Sequence, residues 1–209
     1  MSLKRRLIWS VVKQFHNPRG MGGHVVGWIM AHRSSNVQRS LWAVELMDVQ
    51  PDDKVMELGC GPGLAVAALA ERADRGLVVG VDHSDVMIRH ARRRNATAVE
   101  SGRVDLVCAS VERLDVEGGP FDAVLSVNSV GFWPEPADRL AEIRRLMRPG
   151  GRIALVSQPR CPGADATTSA AARRELVSLL SAAGYEVIRC EQLNLDPPVV
   201  CVLAVSNLS

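Results

Sequence analysis

From Asp53 onward the chain alternates short apolar runs with longer stretches whose apolar residues recur at helical spacing. The runs are KVMEL, GLVVGV, RVDLVCA, FDAVLSV and GRIALVS; the stretches between and after them contain AVAALAERA, VMIRHARRR, ADRLAEIRRLM and AARRELVSLLSAAG. A strand buried on both faces reads as a continuous apolar run, and an amphipathic helix as a 3.6-residue repeat, so the alternation predicts a parallel sheet with helices on both faces. Pro149, Gly150 and Gly151 are read as closing one helix before the next strand, and Gly184 as closing another. The pattern then changes. YEVIRCEQL and PVVCVLAVS are joined by NLDPP with no helix between them, which predicts an antiparallel pair completing a seven-stranded, mostly parallel sheet.

Ahead of this unit lies a basic leader. Lys4, Arg5, Arg6, Lys13, Arg19, Arg33 and Arg39 all precede Glu45, the first acid in the chain, and Trp9, Trp28 and Trp42 lie in the same segment. Leu3 to Phe15 reads as an amphipathic helix, NPRGMGG at 17 to 23 as a flexible turn, and the rest up to about Val49 as helical. Two units are therefore expected, a helical appendage over 1–49 and a ligand-binding domain over 50–209.

Composition narrows the function. A net charge of +2 and the lack of a dense Lys/Arg run or an aromatic-interleaved RNA motif argue against nucleic acid as partner. Cys60, Cys108, Cys161, Cys190 and Cys201 are odd in number and scattered, without a CxxC pair or nearby His at ligand spacing, so neither a disulfide framework nor a metal site is expected. Reduced thiols point to the cytoplasm. No segment approaches the roughly 20 apolar residues of a membrane span, and the apolar run LIWSVV is stopped by Lys13 with no small-residue cleavage site after it.

The first strand runs into VMELGCGPG, with Gly59, Gly61 and Gly63 on alternate positions after Glu57. In an open α/β sheet this strand-to-helix turn is where ligands bind, with the backbone close to the ligand and the helix N-terminus offering free N–H groups. The spacing departs from a dinucleotide fingerprint, whose last glycine would fall on Leu64, and no Gly-Lys-Ser/Thr follows for a phosphate loop. A carboxylate two residues before the first glycine suits a ligand bearing an ammonium group better than a pyrophosphate.

These residues resemble the first motif of class I S-adenosylmethionine-dependent methyltransferases, in the broad group that includes ubiquinone/menaquinone methyltransferase-like enzymes. The resemblance runs from about Asp53 to Gly151 and more weakly to the end, and it implies a Rossmann-like fold. It implies that Glu57 orients the loop and the amino-acid end of the cofactor, with Gly59, Cys60, Gly61 and Gly63 lining it. Asp82, roughly 20 residues past the last glycine, stands where a carboxylate takes the ribose hydroxyls; read structurally, a strand-end Asp is also a common cap. The resemblance also implies that His83 borders the cofactor and that Met87 packs on the adenine; alone, Met87 would read as core.

VCASVERLD resembles the adenine-edge segment, but the usual Asp position falls on Ser110, followed by Val111, so a hydroxyl or backbone contact would replace the carboxylate. FDAVLSVNSVGFWPEP resembles the segment facing the transferable methyl: Asn128 would sit beneath the cofactor, and Gly131, Phe132 and Trp133, with Trp28 from the leader, would line the acceptor pocket. The family often carries histidines where Gly131 and Phe132 stand, so no catalytic residue is assigned. The sequence reads VNSV where nucleic-acid amino-methylating enzymes have N/D-P-P-Y/F.

The expected activity is methyl transfer to a small, hydrophobic or lipid-like acceptor, with S-adenosylhomocysteine as product and no metal. A base is needed only where the acceptor must lose a proton; His16, His24 and His32 of the leader are candidates, although a helical His is commonly a surface residue. The leader reads as a lid over the cofactor, or through residues 3–15 as a peripheral contact with an anionic membrane. The alternative function is a cofactor-binding protein without turnover. The sequence leaves the acceptor atom and the oligomeric state open.

Overall fold

The computed structural model describes residues 34–207. Helix α1 (Ser34–Leu46) is followed by β1 (Lys54–Leu58), α2 (Leu64–Arg72), β2 (Leu77–Asp82), α3 (Asp85–Arg94), the short α4 (Ala96–Glu100) and β3 (Val104–Cys108). The second half runs β4 (Phe121–Val127), α5 (Pro136–Arg145), β5 (Met147–Ser157), α6 (Ala166–Ala182), β6 (Glu186–Leu193) and β7 (Val199–Val205). Single 3-10 turns at Val111–Arg113 and Val130–Phe132 follow β3 and β4.

The seven strands form one sheet in the order β3-β2-β1-β4-β5-β7-β6. Strands β1 to β5 pair in parallel, while β7 runs antiparallel between β5 and β6, so the expected terminal antiparallel pair is present. The chain leaves β1 outward to β2 and β3 and returns to β4 on the other side. The carboxyl ends of β1 and β4 thus flank the point where the winding reverses, the usual location of a ligand crevice.

Two apolar clusters sandwich the sheet. Val55, Val78, Leu106, Leu125 and Val156 point to the face covered by α1, α2 and α3, where Ala43, Val44, Val66, Leu69 and Ile88 meet them. Met56, Leu58, Val81, Val124 and Leu155 point to the opposite face, closed by Leu140 and Ile143 of α5 and Leu176 and Leu180 of α6. Strand alternation decides this sorting, and it also sends Glu57, two residues after Val55, to the α2 face. Part of the basic leader is therefore built into the core through α1.

The run from Pro149 to Gly151 departs from expectation. These residues do not close a helix ahead of the strand; α5 ends at Arg145 and β5 already begins at Met147. The reason is pairing with the carboxyl end of the chain: Gly150 N donates to Ser206 O at 2.7 Å and Ser206 N to Gly151 O at 2.8 Å. The extra residues appear as a register shift against β4 between Phe121 and Ala123, where glycine relieves the crowding of a bulge. Gly184 does follow the last turn of α6, with φ at 83°.

Candidate cofactor site at the carboxyl ends of β1, β2 and β4

The turn after β1 is a left-handed one, with φ of 76°, 52° and 75° at Gly59, Gly61 and Gly63. Two of these positions are crowded as well. A Cβ on Gly59 would lie 2.2 Å from Ser129 Oγ, and one on Gly63 would lie 2.6 Å from Asn95 Nδ2. Glycine is required at both by conformation and by space.

Three neighbours fix the turn. Gly59 N and Cys60 N both donate to Val81 O, at 2.8 and 3.0 Å. Gly61 N donates to Asp82 Oδ2 at 2.9 Å, while Ser84 N donates to Asp82 Oδ1 at 2.8 Å. From α3, Arg94 Nε donates to Pro62 O at 3.2 Å and Asn95 Nδ2 to Gly63 O at 3.2 Å. These bonds engage the Pro62 and Gly63 carbonyls on the α3 side of the turn.

Glu57 lies under the turn at 3% exposure, and its Oε2 has no hydrogen-bond partner. Burial raises its carboxyl well above the ordinary range; a backbone hydrogen bond from Val66 opposes the rise and the nearby Asp82 charge adds to it. Burial likewise pushes the Cys60 thiol well up, with Glu57 and Asp82 contributing. Asp82 is 8% exposed and its carboxyl is also raised, burial outweighing the Ser84 and Gly61 N–H groups and the adjacent His83. A buried acid with an open acceptor atom, beneath a turn too tight for side chains, is completed by a cationic ammonium group that donates to it.

The remaining expected residues divide into three sets. His83 lies just beyond Asp82, its Nδ1 3.7 Å from Asp82 Oδ1, and Met87 is buried in the first turn of α3. Ser110 is occupied locally, its hydroxyl donating to Glu112 Oε2 at 3.2 Å and accepting from Glu112 N at 3.3 Å, and Val111 packs on the second core cluster. Asn128 sits at the carboxyl end of β4 with φ at 54°, but its amide is tied to β5: Oδ1 accepts from Gln158 N at 2.6 Å and Nδ2 donates to Gln158 O at 3.4 Å. On the same rim Gly131 is open, Phe132 is 61% exposed and Trp133 is half-buried. Trp28, the helix expected over Leu3 to Phe15 and the three leader histidines lie outside the described residues.

Two features were absent from the sequence reading. Ser129 carries no motif, yet it is the side chain seated on Gly59, and Trp133 Nε1 donates to its Oγ at 2.9 Å. Gln158 collects a buried polar cluster: its Oε1 accepts from Arg39 at 2.7 Å and from Arg160 at 2.8 Å, while its Nε2 donates to Pro197 O at 2.8 Å. Asn36 Oδ1 accepts from the same two arginines, at 3.1 and 3.0 Å, so α1 is clamped to the carboxyl edge of β5. The basic run ahead of Glu45 was the only available hint of the second.

Comparison with known proteins agrees with this geometry. Residues 55–151 match a family described as a methyltransferase domain. An uncharacterized methyltransferase, YdaC, of Bacillus subtilis is 28% identical over 181 residues, spanning 86% of this chain and 97% of that protein. A ubiquinone biosynthesis O-methyltransferase of Idiomarina loihiensis is 35% identical over 102 residues, which is 48% of this chain and 40% of that one. Among solved structures, a SAM-dependent methyltransferase from Aquifex aeolicus superposes with a TM-score of 0.73 at 16% identity, over 88% of this chain and 98% of the other, which shows a shared fold.

Proposed function

We propose that this chain is a class I S-adenosylmethionine-dependent methyltransferase that transfers a methyl group to a small acceptor with a hydrophobic or lipid-like surface. The observation that carries the reading is the open Oε2 of buried Glu57 beneath the Gly59–Gly63 turn, at the winding reversal of the sheet. Glu57 would hold the amino group of the cofactor, the turn would follow its methionyl chain, Asp82 would take the ribose, and His83, Met87, Ser110 and Val111 would border the adenine. Each Asp82 oxygen already accepts one backbone N–H and keeps a second lone pair for a ribose hydroxyl.

S-adenosylmethionine, when bound, supplies a methyl group on a positively charged sulfur. The work left to the chain is orientation and exclusion of water. Phe132 and Trp133, on the rim beside the turn, provide an apolar wall for the acceptor, and the Idiomarina relative, named for ubiquinone biosynthesis, is consistent with a hydrophobic acceptor and with the ubiquinone/menaquinone-like group. We propose residues 1–49 as a lid-bearing appendage to a domain over 50–209, with α1 as its fixed base on the core and the leader ahead of it, Trp28 included, on the acceptor side. Peripheral membrane contact by residues 3–15 would bring a lipid-like acceptor to the same place. All five cysteines are free, in keeping with a cytoplasmic protein, and no helix among the described residues is long and apolar enough to cross a membrane.

Cofactor binding without turnover is the second reading, favoured by one observation: residues 128 to 133 bring no titratable side chain to the rim. Calorimetric titration with S-adenosylmethionine, followed by measurement of S-adenosylhomocysteine formed against a metabolite extract, tests both. Binding with product supports the enzyme, binding without product the second reading, and no binding overturns both.

A further inference from the structure

Gly59 and Ser129 follow different strands and meet at the winding reversal, where β1 and β4 lie side by side. The Ser129 side chain rests directly on the glycine turn, its Oγ 2.2 Å from where a Cβ on Gly59 would stand. Its oxygen is already used: the indole Nε1–H of Trp133 donates to it at 2.9 Å. An indole nitrogen is a donor only, so Ser129 must be the acceptor in this bond, and its own proton is directed away from Trp133. Among the described residues no acceptor is in place for that proton. The result is an oriented O–H group, half-buried at the edge of the turn, with nothing to receive its hydrogen.

The two groups beside the turn are complementary. Glu57 presents an open acceptor from below, and Ser129 presents an open donor from the β4 side. An amino acid has the matching pair, an ammonium group and a carboxylate. A hydroxyl proton is satisfied only by an acceptor, and a carboxylate is the strongest acceptor at that end of the cofactor.

We propose that Ser129 donates a hydrogen bond from Oγ to the methionyl carboxylate of the cofactor, and that Trp133 is the residue that orients the hydroxyl for it. This rests on the S-adenosylmethionine reading above. It makes Ser129 a cofactor-binding residue, and it links the cofactor to the acceptor wall through a single side chain.

The test compares two ligands by calorimetry, S-adenosylhomocysteine and its decarboxylated analogue, which keeps the amine, thioether and nucleoside. Ser129→Ala is expected to weaken S-adenosylhomocysteine by about tenfold or more and to leave the analogue within about twofold of its wild-type value. Trp133→Phe, which retains an aromatic wall and removes the N–H, is expected to give a smaller loss of several-fold, again confined to the carboxylated ligand. Thermal melts of both variants check that the fold is kept, and Trp133→Phe decides the matter if Ser129→Ala does not fold. Equal weakening of the two ligands, or no weakening of S-adenosylhomocysteine, overturns the Ser129 assignment alone. Wild-type protein that binds neither ligand overturns the cofactor reading and this inference with it.

Discussion

Asp82 Oδ2 accepts a hydrogen bond from the Gly61 backbone nitrogen at 2.9 Å, tying the end of β2 to the middle of the turn that follows β1. Its other oxygen holds Ser84 N, the entry to α3, so one carboxylate sets the relative position of two loops. Asp82→Ala removes both bonds, together with the hydrogen bonds that the two oxygens would accept from the ribose hydroxyls. Each hydrogen bond to a charged group contributes about 1.5–3 kcal/mol, so S-adenosylhomocysteine affinity is expected to fall by at least about tenfold. Wild-type affinity in calorimetry would count against the role assigned to Asp82.

Burial raises the Glu57 carboxyl well above the range it has in an unfolded chain. Stability linked to this group is therefore complete below the ordinary carboxylate range and is lost as pH rises through the higher folded value. Glu57→Gln does not titrate, so the stability difference should shift in favour of the variant with rising pH, as read from urea melts across the pH range. A pH-independent difference would be inconsistent with a raised carboxyl.

The same carboxyl should give up its proton when a cation arrives. An ammonium group close to Glu57 favours the ionised form, so cofactor binding is expected to release a proton and to tighten as pH increases. Calorimetry in two buffers of different ionisation enthalpy measures that proton directly, and Glu57→Gln should abolish the difference between buffers.

Gly59→Ala places a methyl group against Ser129 and forces an alanine to φ 76°. The left-handed conformation alone costs roughly 1–2 kcal/mol. Thermal melts should show the loss, and Gly59→Ala combined with Ser129→Gly should recover the part due to collision while leaving the conformational part. Full recovery would mean that the backbone requirement is absent.

Gln158→Leu removes one of the two side-chain oxygens that Arg39 and Arg160 share, the other being Asn36 Oδ1, and takes from Pro197 O its Nε2 donor. Loss of a buried hydrogen-bond partner costs about 1–3 kcal/mol. A lowered urea midpoint with an unchanged m-value is the expected result, and unchanged stability would show that α1 is held by its apolar face alone.

The glycine turn and its link to Asp82 were legible because they are local. Glu57, the glycines and Asp82 belong to one β-α-β unit, and their placement follows from their order along the chain. What escaped the sequence lies between units. Ser129 meets Gly59, and Gln158 meets Arg39, only because the sheet order sets β4 beside β1 and brings α1 over β5. Asn128 was placed at the correct strand end, but its amide bonds the neighbouring strand, since backbone groups at the end of β5 need partners whatever the ligand requires. The Pro149–Gly151 segment has the composition of a turn and the conformation of a bulged strand, because Ser206 pairs with it from more than fifty positions away.

The placement of β7 carries a consequence for how the sheet is assembled. The strand that occurs later in the chain lies inside the one that occurs earlier, so β6 has no strand of the sheet to pair with until β7 has added to β5. During synthesis on a ribosome the β5 margin must stay open while some fifty further residues emerge. A nascent chain halted within 199–205 would present that margin, apolar and unpaired, to any other extended peptide nearby.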